Sequence, residues 1–305
     1  NCRIMSNVVE QLQNFLAQAC KEPVSMSDDI VEEFGELCKS ALRKQFTEER
    51  EKKFRIRMSN IGRPICQLQM EKLHQDSDFE EMSYNSKLRN MFGDIIEIIV
   101  YAMMKSCNVN IESYQKKVSY KINDTLEMSG STDVEIDGKV YDIKSASPFS
   151  YDKKFGKDGG GFEKVADEDV FGYLSQGYLY AESLNKPFGG WIVINKSTGE
   201  IQLTAPPSDD TKYKDKALQI AKDNAETLLD NKPFKRCFED EEETFRQVKT
   251  GNRKLGTICS FCSFKQPCWG DDLQFLPQQQ SKARNPKWFW YTKITQPKED
   301  SNVEG

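Results

Sequence analysis

STDVEIDGKVYDIKSAS, residues 131–147, alternates apolar and polar side chains on both sides of Asp137-Gly138. Asp-Gly between two such runs specifies a β-hairpin with a two-residue type I′ turn. That turn fixes the register: Ile136 faces Lys139, and Asp133 faces Asp142 with Cβ atoms about 4.5–5.5 Å apart. Like charges so placed repel. A divalent cation between them reverses the sign, and hard oxygen ligands at this spacing suit magnesium or manganese. The two-residue period puts Lys144 on the face of Asp142, where it is able to orient or deprotonate a water. The alternative is an exposed hairpin whose two aspartates are kept apart by solvent.

Upstream, Lys87 to Cys107 reads as a helix that is apolar nearly all round, with Glu97 inside DIIEIIV. A glutamate on a buried helix is rare unless it is paired or bound to a metal. Gly93, one turn earlier on the same face, leaves room for a close approach. Strand patterns follow at 108–122, 132–137 and 139–145. After the Gly-rich KFGKDGGGFEK comes a helix opened by Asp167 and running to Leu184, then strands at GGWIVINK and EIQLTA. The Gly-rich residues 156–161 lack the Gly-Lys-Ser/Thr of a phosphate-binding loop and read as a flap beside a cleft.

The core order is therefore α-β-β-β-α-β, an α/β fold with a mixed sheet flanked by helices. Helical patterns at 4–20 and 28–50 make an N-terminal helical arm, residues 1–85. The core spans 86–205. Residues 206–305 add a helix at 211–230, the acidic run 239–243, a cysteine cluster and a basic-aromatic tail.

The 305 residues, 37% of them hydrophobic, suffice for a buried core. No run approaches the roughly 18 apolar residues of a membrane span, and the N-terminal NCRIMSNVVEQLQ lacks the build of a secretory signal. An intracellular location is expected, in cytoplasm or nucleoid, or in a host cell if the protein is viral. The net charge of −5 excludes a uniformly basic surface but not a basic groove. In SKARNPKWFWYTK, residues 281–293, Lys287, Trp288 and Trp290 interleave cation and ring, which suits single-stranded nucleic acid; a docked aromatic tail is the alternative. The one histidine, His74, is read as a surface residue, so serine-triad or histidine-based chemistry is disfavoured.

Glu97 on a core helix, Asp133, and then Asp142-Ile143-Lys144 resemble the PD-(D/E)XK nuclease superfamily. Gln176-Gly-Tyr-Leu-Tyr180 on the following helix is similar to the Q-x-x-x-Y motif of its RecB-like branch, and four-residue spacing puts Gln176 and Tyr180 on one helix face. Thr132 stands where the motif has proline, and Glu97 where many RecB-like enzymes have histidine. The resemblance implies a restriction-endonuclease-like core. Glu97, Asp133, Asp142 and the Ile143 carbonyl would hold Mg2+ or Mn2+, Lys144 would be the catalytic lysine, and Gln176 and Tyr180 would contact substrate.

Nine cysteines is an odd number in a chain too large to need disulfide staples. Cys259, Cys262 and Cys268 form a C-x2-C-x5-C run that wants a fourth ligand. Cys66, in SNIGRPIC, resembles the N-terminal cysteine of iron-sulfur RecB-like nucleases, a group including CRISPR-associated exonucleases and AddB-type subunits. The resemblance implies a 4Fe-4S cluster on these four cysteines. Zinc serves four thiolates equally well, and Cys237 competes for the fourth place. The resemblance, with support from the basic-aromatic tail, implies a metal-dependent DNA exonuclease acting on single strands or duplex ends, with a helicase or recombinase as the partner class. A non-catalytic nucleic-acid-binding or structural subunit of a recombination complex is the alternative.

Overall fold

The computed structural model describes residues 7–48, 53–75, 84–156 and 159–295. The predicted helical residues 4–6 and 49–50, and the centre of the Gly-rich flap at 157–158, lie outside them. In chain order the elements begin with helices α1 (Val8–Ala19), α2 (Asp28–Phe46), α3 (Ile65–Leu73) and α4 (Tyr84–Ser106). Strands β1 (Ile111–Tyr114), β2 (Lys117–Asn123), β3 (Leu126–Ser131), β4 (Val134–Ile136) and β5 (Lys139–Ala146) follow. A short turn of helix α5 (Pro148–Ser150) runs into a π-helical turn, Tyr151–Phe155, and then α6 (Gly161–Asp167) and α7 (Tyr173–Ser183). Next come β6 (Phe188–Asn195), β7 (Ile201–Thr204) and α8 (Thr211–Leu229). The chain ends with β8 (Glu241–Phe245), β9 (Val248–Lys254), α9 (Thr257–Ser260), α10 (Lys265–Trp269), β10 (Gln274–Pro277) and β11 (Trp288–Lys293).

These elements divide into two compact units, one from Asn1–Arg63 with Met82–Leu229, the other from Pro64–Glu81 with Asp230–Gly305. The segment carrying Cys66 thus belongs with the C-terminal cysteines, a partition that differs from the linear 1–85, 86–205, 206–305 reading.

The first unit is a mixed five-stranded sheet in the order β1-β4-β5-β6-β7, with β5 and β6 parallel and the other pairs antiparallel. Val8, Val9 and Leu12 of α1 and Val100 and Met104 of α4 pack on Val134, Ile136, Ile143, Ile192 and Ile194 of the sheet. Asn7 and Glu10 close a capping box at the start of α1. The β6 strand is buried at every position, as expected of a central strand covered on both faces. On α7, Tyr178 packs against Phe188, which meets Trp191 edge-on.

The expected α-β-β-β-α-β order is present as α4, β1, β4, β5, α7 and β6, but the strand pattern at 108–122 divides. Its first part joins the sheet, while β2 pairs with β3 as a separate two-stranded ribbon inserted between β1 and β4. The α4 helix is less enclosed than its sequence suggests. Met91, Ile95 and Ile98 face α2 and Val100 and Met104 face the sheet, leaving Leu88, Phe92 and Ile99 exposed. The helix expected from 167 to 184 begins only at Tyr173, because Asp167 is the last residue of α6 and a loop separates the two. Its capping aspartate is Asp169, whose carboxylate accepts the N–H groups of Phe171, Gly172 and Leu174 at 2.8–3.1 Å.

The second unit is a four-stranded antiparallel sheet, β10-β11-β9-β8, accompanied by α3, α9 and α10. The acidic run contributes β8, and Glu243 within it is fully buried. Its carboxylate is satisfied by the Tyr291 hydroxyl, Thr250 and the Asn252 amide. The basic-aromatic tail becomes the interior strand β11. His74 is half-buried and stacks on Phe264, centroids 6.3 Å apart.

No helix among the described residues is long and apolar enough to cross a membrane.

Candidate functional site

The hairpin carries the turn read from its sequence. Asp137 and Gly138 both have positive φ, 47° and 74°, which glycine adopts at no steric cost and aspartate tolerates. Ile136 pairs with Lys139, Glu135 with Val140 and Val134 with Tyr141. One step further the ladder stops, because Asp133 lies just before β4. Its carboxylate Oδ2 takes the place of a backbone acceptor and receives the Ile143 N–H at 2.7 Å. Asp133 is therefore not a strand partner of Asp142, although the two carboxylates still feel each other's charge.

Asp142 is 2% exposed and Lys144 shares its face. The lysine Nζ donates to Asp142 Oδ1 at 2.9 Å. It also lies 2.8 Å from Oδ2, but off the hydrogen-bonding direction, so this buried oxygen has no directed donor. Burial works against the Lys144 ammonium, yet Asp142 and Asp133 outweigh it and hold the pKa above the ordinary lysine value. Burial raises the pKa of Asp133, and repulsion from Asp142 and Glu97 adds to it. Glu97 is raised for the same two reasons, burial first and then Asp142, against a lowering hydrogen bond from Gln115. Three carboxylates and a single ammonium thus share one partly buried place.

Gln176 and Tyr180 join them from α7. They are hydrogen-bonded to each other, and Tyr180 is pushed up to about 12 by burial and by the charges of Asp142 and Asp133. Tyr180 is 3% exposed. It packs so closely on β3 that a Cβ at Gly130 would stand 2.5 Å from its ring. Glu97, Asp133, Asp142, Lys144, Gln176 and Tyr180 are therefore brought together.

Two neighbours escaped the sequence reading. The side-chain amide of Gln115 donates to Glu97 at 2.9 Å while its backbone N–H donates to the Asp133 carbonyl at 2.9 Å. It thereby ties two of the acids together. Tyr173 offers its ring face to Lys144, 4.8 Å from Nζ to centroid. Gln115 stands at a positive φ of 47° between two strands, and no pattern in the sequence marks it. Tyr173 is one turn before Gln176 on α7, which helical spacing could have disclosed.

The cysteines gather in the second unit. At the start of α3 the Cys66 N–H donates to Cys237 Sγ at 3.2 Å. The Cys66 thiol is hydrogen-bonded to the same sulfur and its pKa is raised, by that bond first and by burial second. The Cys237 thiol is correspondingly lowered to about 6. Cys259 is pushed up to about 11 by burial and then by Cys268 and Cys262. Burial also raises Cys268, against the Arg236 guanidinium, whose Nε donates to the Cys268 carbonyl at 3.0 Å. Cys237 is thus a fifth member of the group, in direct contact with Cys66. None of the five is in a disulfide. Among the described residues no three His, Cys, Asp or Glu side chains already stand at metal-holding distances, so neither the carboxylates nor the cysteines form a preassembled metal site.

Trp288 and Trp290 lie on one face of β11, with Phe275 of β10 packed on both at 5.3 and 4.8 Å. Lys265 stands 5.0 Å over the Trp290 ring. Trp288 and Lys287 are exposed.

No family model and no curated protein matches the chain. A solved structure titled "Crystal structure of SSO0001" is similar at a TM-score of 0.40 and 16% identity, covering 77% of this chain and 94% of that chain.

Proposed function

We propose that the chain is a metal-dependent DNA nuclease with a restriction-endonuclease-like core in its first unit, hydrolysing phosphodiester bonds of single strands or duplex ends. The observation that carries this reading is electrostatic. Glu97, Asp133 and Asp142 crowd one site with a single ammonium, and a buried oxygen of Asp142 lacks a directed donor. A folded protein relieves such repulsion by protonation or by a divalent cation, and oxygen-only donors favour Mg2+ or Mn2+.

When bound, the cation supplies Lewis acidity toward water and the phosphate oxygens. Glu97, Asp133, Asp142 and the Ile143 carbonyl are the groups that would hold it. Lys144, kept protonated by its carboxylate neighbours, donates hydrogen bonds to the attacking water or to a phosphate oxygen and does not act as a base. Gln176 and Tyr180 donate to the phosphate beside the scissile bond, and the raised Tyr180 pKa keeps its hydroxyl proton in place at neutral pH.

In the second unit Cys66, Cys259, Cys262 and Cys268 are proposed to hold a 4Fe-4S cluster or zinc in a structural role. The support is their donor chemistry: sulfurs outside any disulfide, in one compact unit, that sense one another's charge. The Trp288–Trp290 face with Lys287 is a further candidate contact for single strands, and a helicase or recombinase is the expected partner class.

The test is digestion of end-labelled single- and double-stranded DNA with Mg2+ or Mn2+ by the wild type and Asp142→Ala. Metal-dependent shortening by the wild type alone is expected. DNA left intact by both under every metal overturns the enzyme reading in favour of a binding or structural subunit.

A further inference from the structure

We propose that Tyr173, Phe171 and Lys154 form a track for single-stranded nucleic acid leading away from the carboxylate site, a reading that rests on that site being a nuclease centre. Cations and rings alternate along it. Lys144 Nζ lies 4.8 Å from the Tyr173 centroid. Tyr173 stacks on Phe171 with centroids 5.3 Å apart and planes inclined by 21°, and Lys154 Nζ stands 4.5 Å from the Phe171 centroid. Beneath them Phe155 stacks on Tyr173 at 6.2 Å. Lys144 and the neighbouring rings already cover Tyr173, so Tyr173 backs the stack, while the half-exposed Phe171 is the ring that takes a base of any sequence and Lys154 beside it takes a phosphate.

The support for these rings is built in. Phe171 is 49% exposed although it belongs to a loop held by three hydrogen bonds to Asp169. The loop's rigidity thus goes into presenting a ring to solvent. Lys154 rides on the π-helical turn Tyr151–Phe155, a local geometry found frequently at functional sites. Lys154 and Lys164 line one small pocket with Phe155, Phe171 and Tyr173. Neither lysine is in an ion pair among the described residues. Two carboxylates also line the pocket. Asp169 is committed to backbone N–H groups, and Glu168 is exposed to solvent. The paired bases of a duplex cannot stack on these rings, so the track selects single strands.

The test measures fluorescence anisotropy of a labelled 12-nucleotide oligothymidine in EDTA, which prevents cutting, over a range of salt. Phe171→Ala should weaken binding roughly 5- to 100-fold, the loss of one stacked base, while Phe171→Trp retains it. Lys154→Gln should flatten the log–log salt dependence by about 0.7, one phosphate contact. Phe149→Ala, an exposed ring outside the pocket, should bind as the wild type does, and melting curves establish that each variant is folded. If the wild type digests DNA but Phe171→Ala and Lys154→Gln bind and digest single strands equally well, the track is wrong and the nuclease reading stands. A wild type that neither binds nor digests overturns both.

Discussion

Replacing Asp133 by asparagine should raise the melting temperature of the metal-free protein while abolishing its response to divalent cations. Asp133 Oδ2 accepts the Ile143 N–H at 2.7 Å, and an asparagine carbonyl keeps that bond. What disappears is a negative charge that burial disfavours, that Asp142 and Glu97 repel, and that Lys144 only partly relieves. Two carboxylates taken at a separation of about 5 Å repel by roughly 3 kcal/mol at an effective dielectric of about 20. Lys144 offsets part of this, and exchanging an ionic for a neutral hydrogen bond costs about 1 kcal/mol. The net gain is about 1–2 kcal/mol, or roughly 2–8 °C for a domain of 150–250 residues. The sign depends on pH. The folded pKa lies above the unfolded one, so the native state holds more protons between the two values. Wild-type stability therefore falls as pH rises from the ordinary aspartate range through the raised value, and the asparagine variant lacks that decline. Thermal melts from pH 4 to 8 in EDTA, repeated with MnCl2, measure both effects. A variant that melts lower than wild type at pH 8 in EDTA, and still gains the wild-type increment with Mn2+, would refute the reasoning.

Three other outcomes are expected. Gly130→Ala should cost about 1–3 kcal/mol by overpacking and reduce nuclease activity, because its Cβ would stand 2.5 Å from the Tyr180 ring; thermal melting with an activity assay checks this. Lys186→Met should lower stability in urea unfolding, since Lys186 pairs at 2.6 Å with Glu135, whose 1% exposed side chain is then left to Lys116 and Ser113. Cys66→Ser should remove iron or zinc and any visible absorbance, while Cys237→Ser retains them; metal analysis and spectra of anaerobically prepared protein decide, and the opposite pattern would make Cys237 the ligand.

The hairpin register was legible because the Asp-Gly turn is a local signal with one favoured geometry. The convergence of Glu97 and Tyr180 on Asp142 is legible only through a resemblance, since it depends on packing between distant elements. The β2–β3 ribbon was missed because its outward-facing residues are polar and its pattern runs on continuously from β1. β4 begins two residues later than its sequence pattern because a side chain, rather than a carbonyl, completes the hydrogen bonding at Asp133. Asp169 was passed over for Asp167 because both precede apolar runs, and only the loop conformation separates them. Exposure along α4 was underestimated because two packed faces leave a third stripe to solvent.

The inserted ribbon has a practical consequence. Its base is clamped: the Gln115 N–H meets the Asp133 carbonyl at 2.9 Å and the Thr132 N–H meets the Lys116 carbonyl at 3.0 Å. Its tip, at Asp124 and Thr125, is exposed. Tolerance to change should therefore rise along the ribbon, from a base that holds Asp133 and packs on Tyr180 to a tip free of both. The tip is a natural socket for a grafted recognition loop or a reporter, because new sequence there lengthens the ribbon without moving the acids it emerges from.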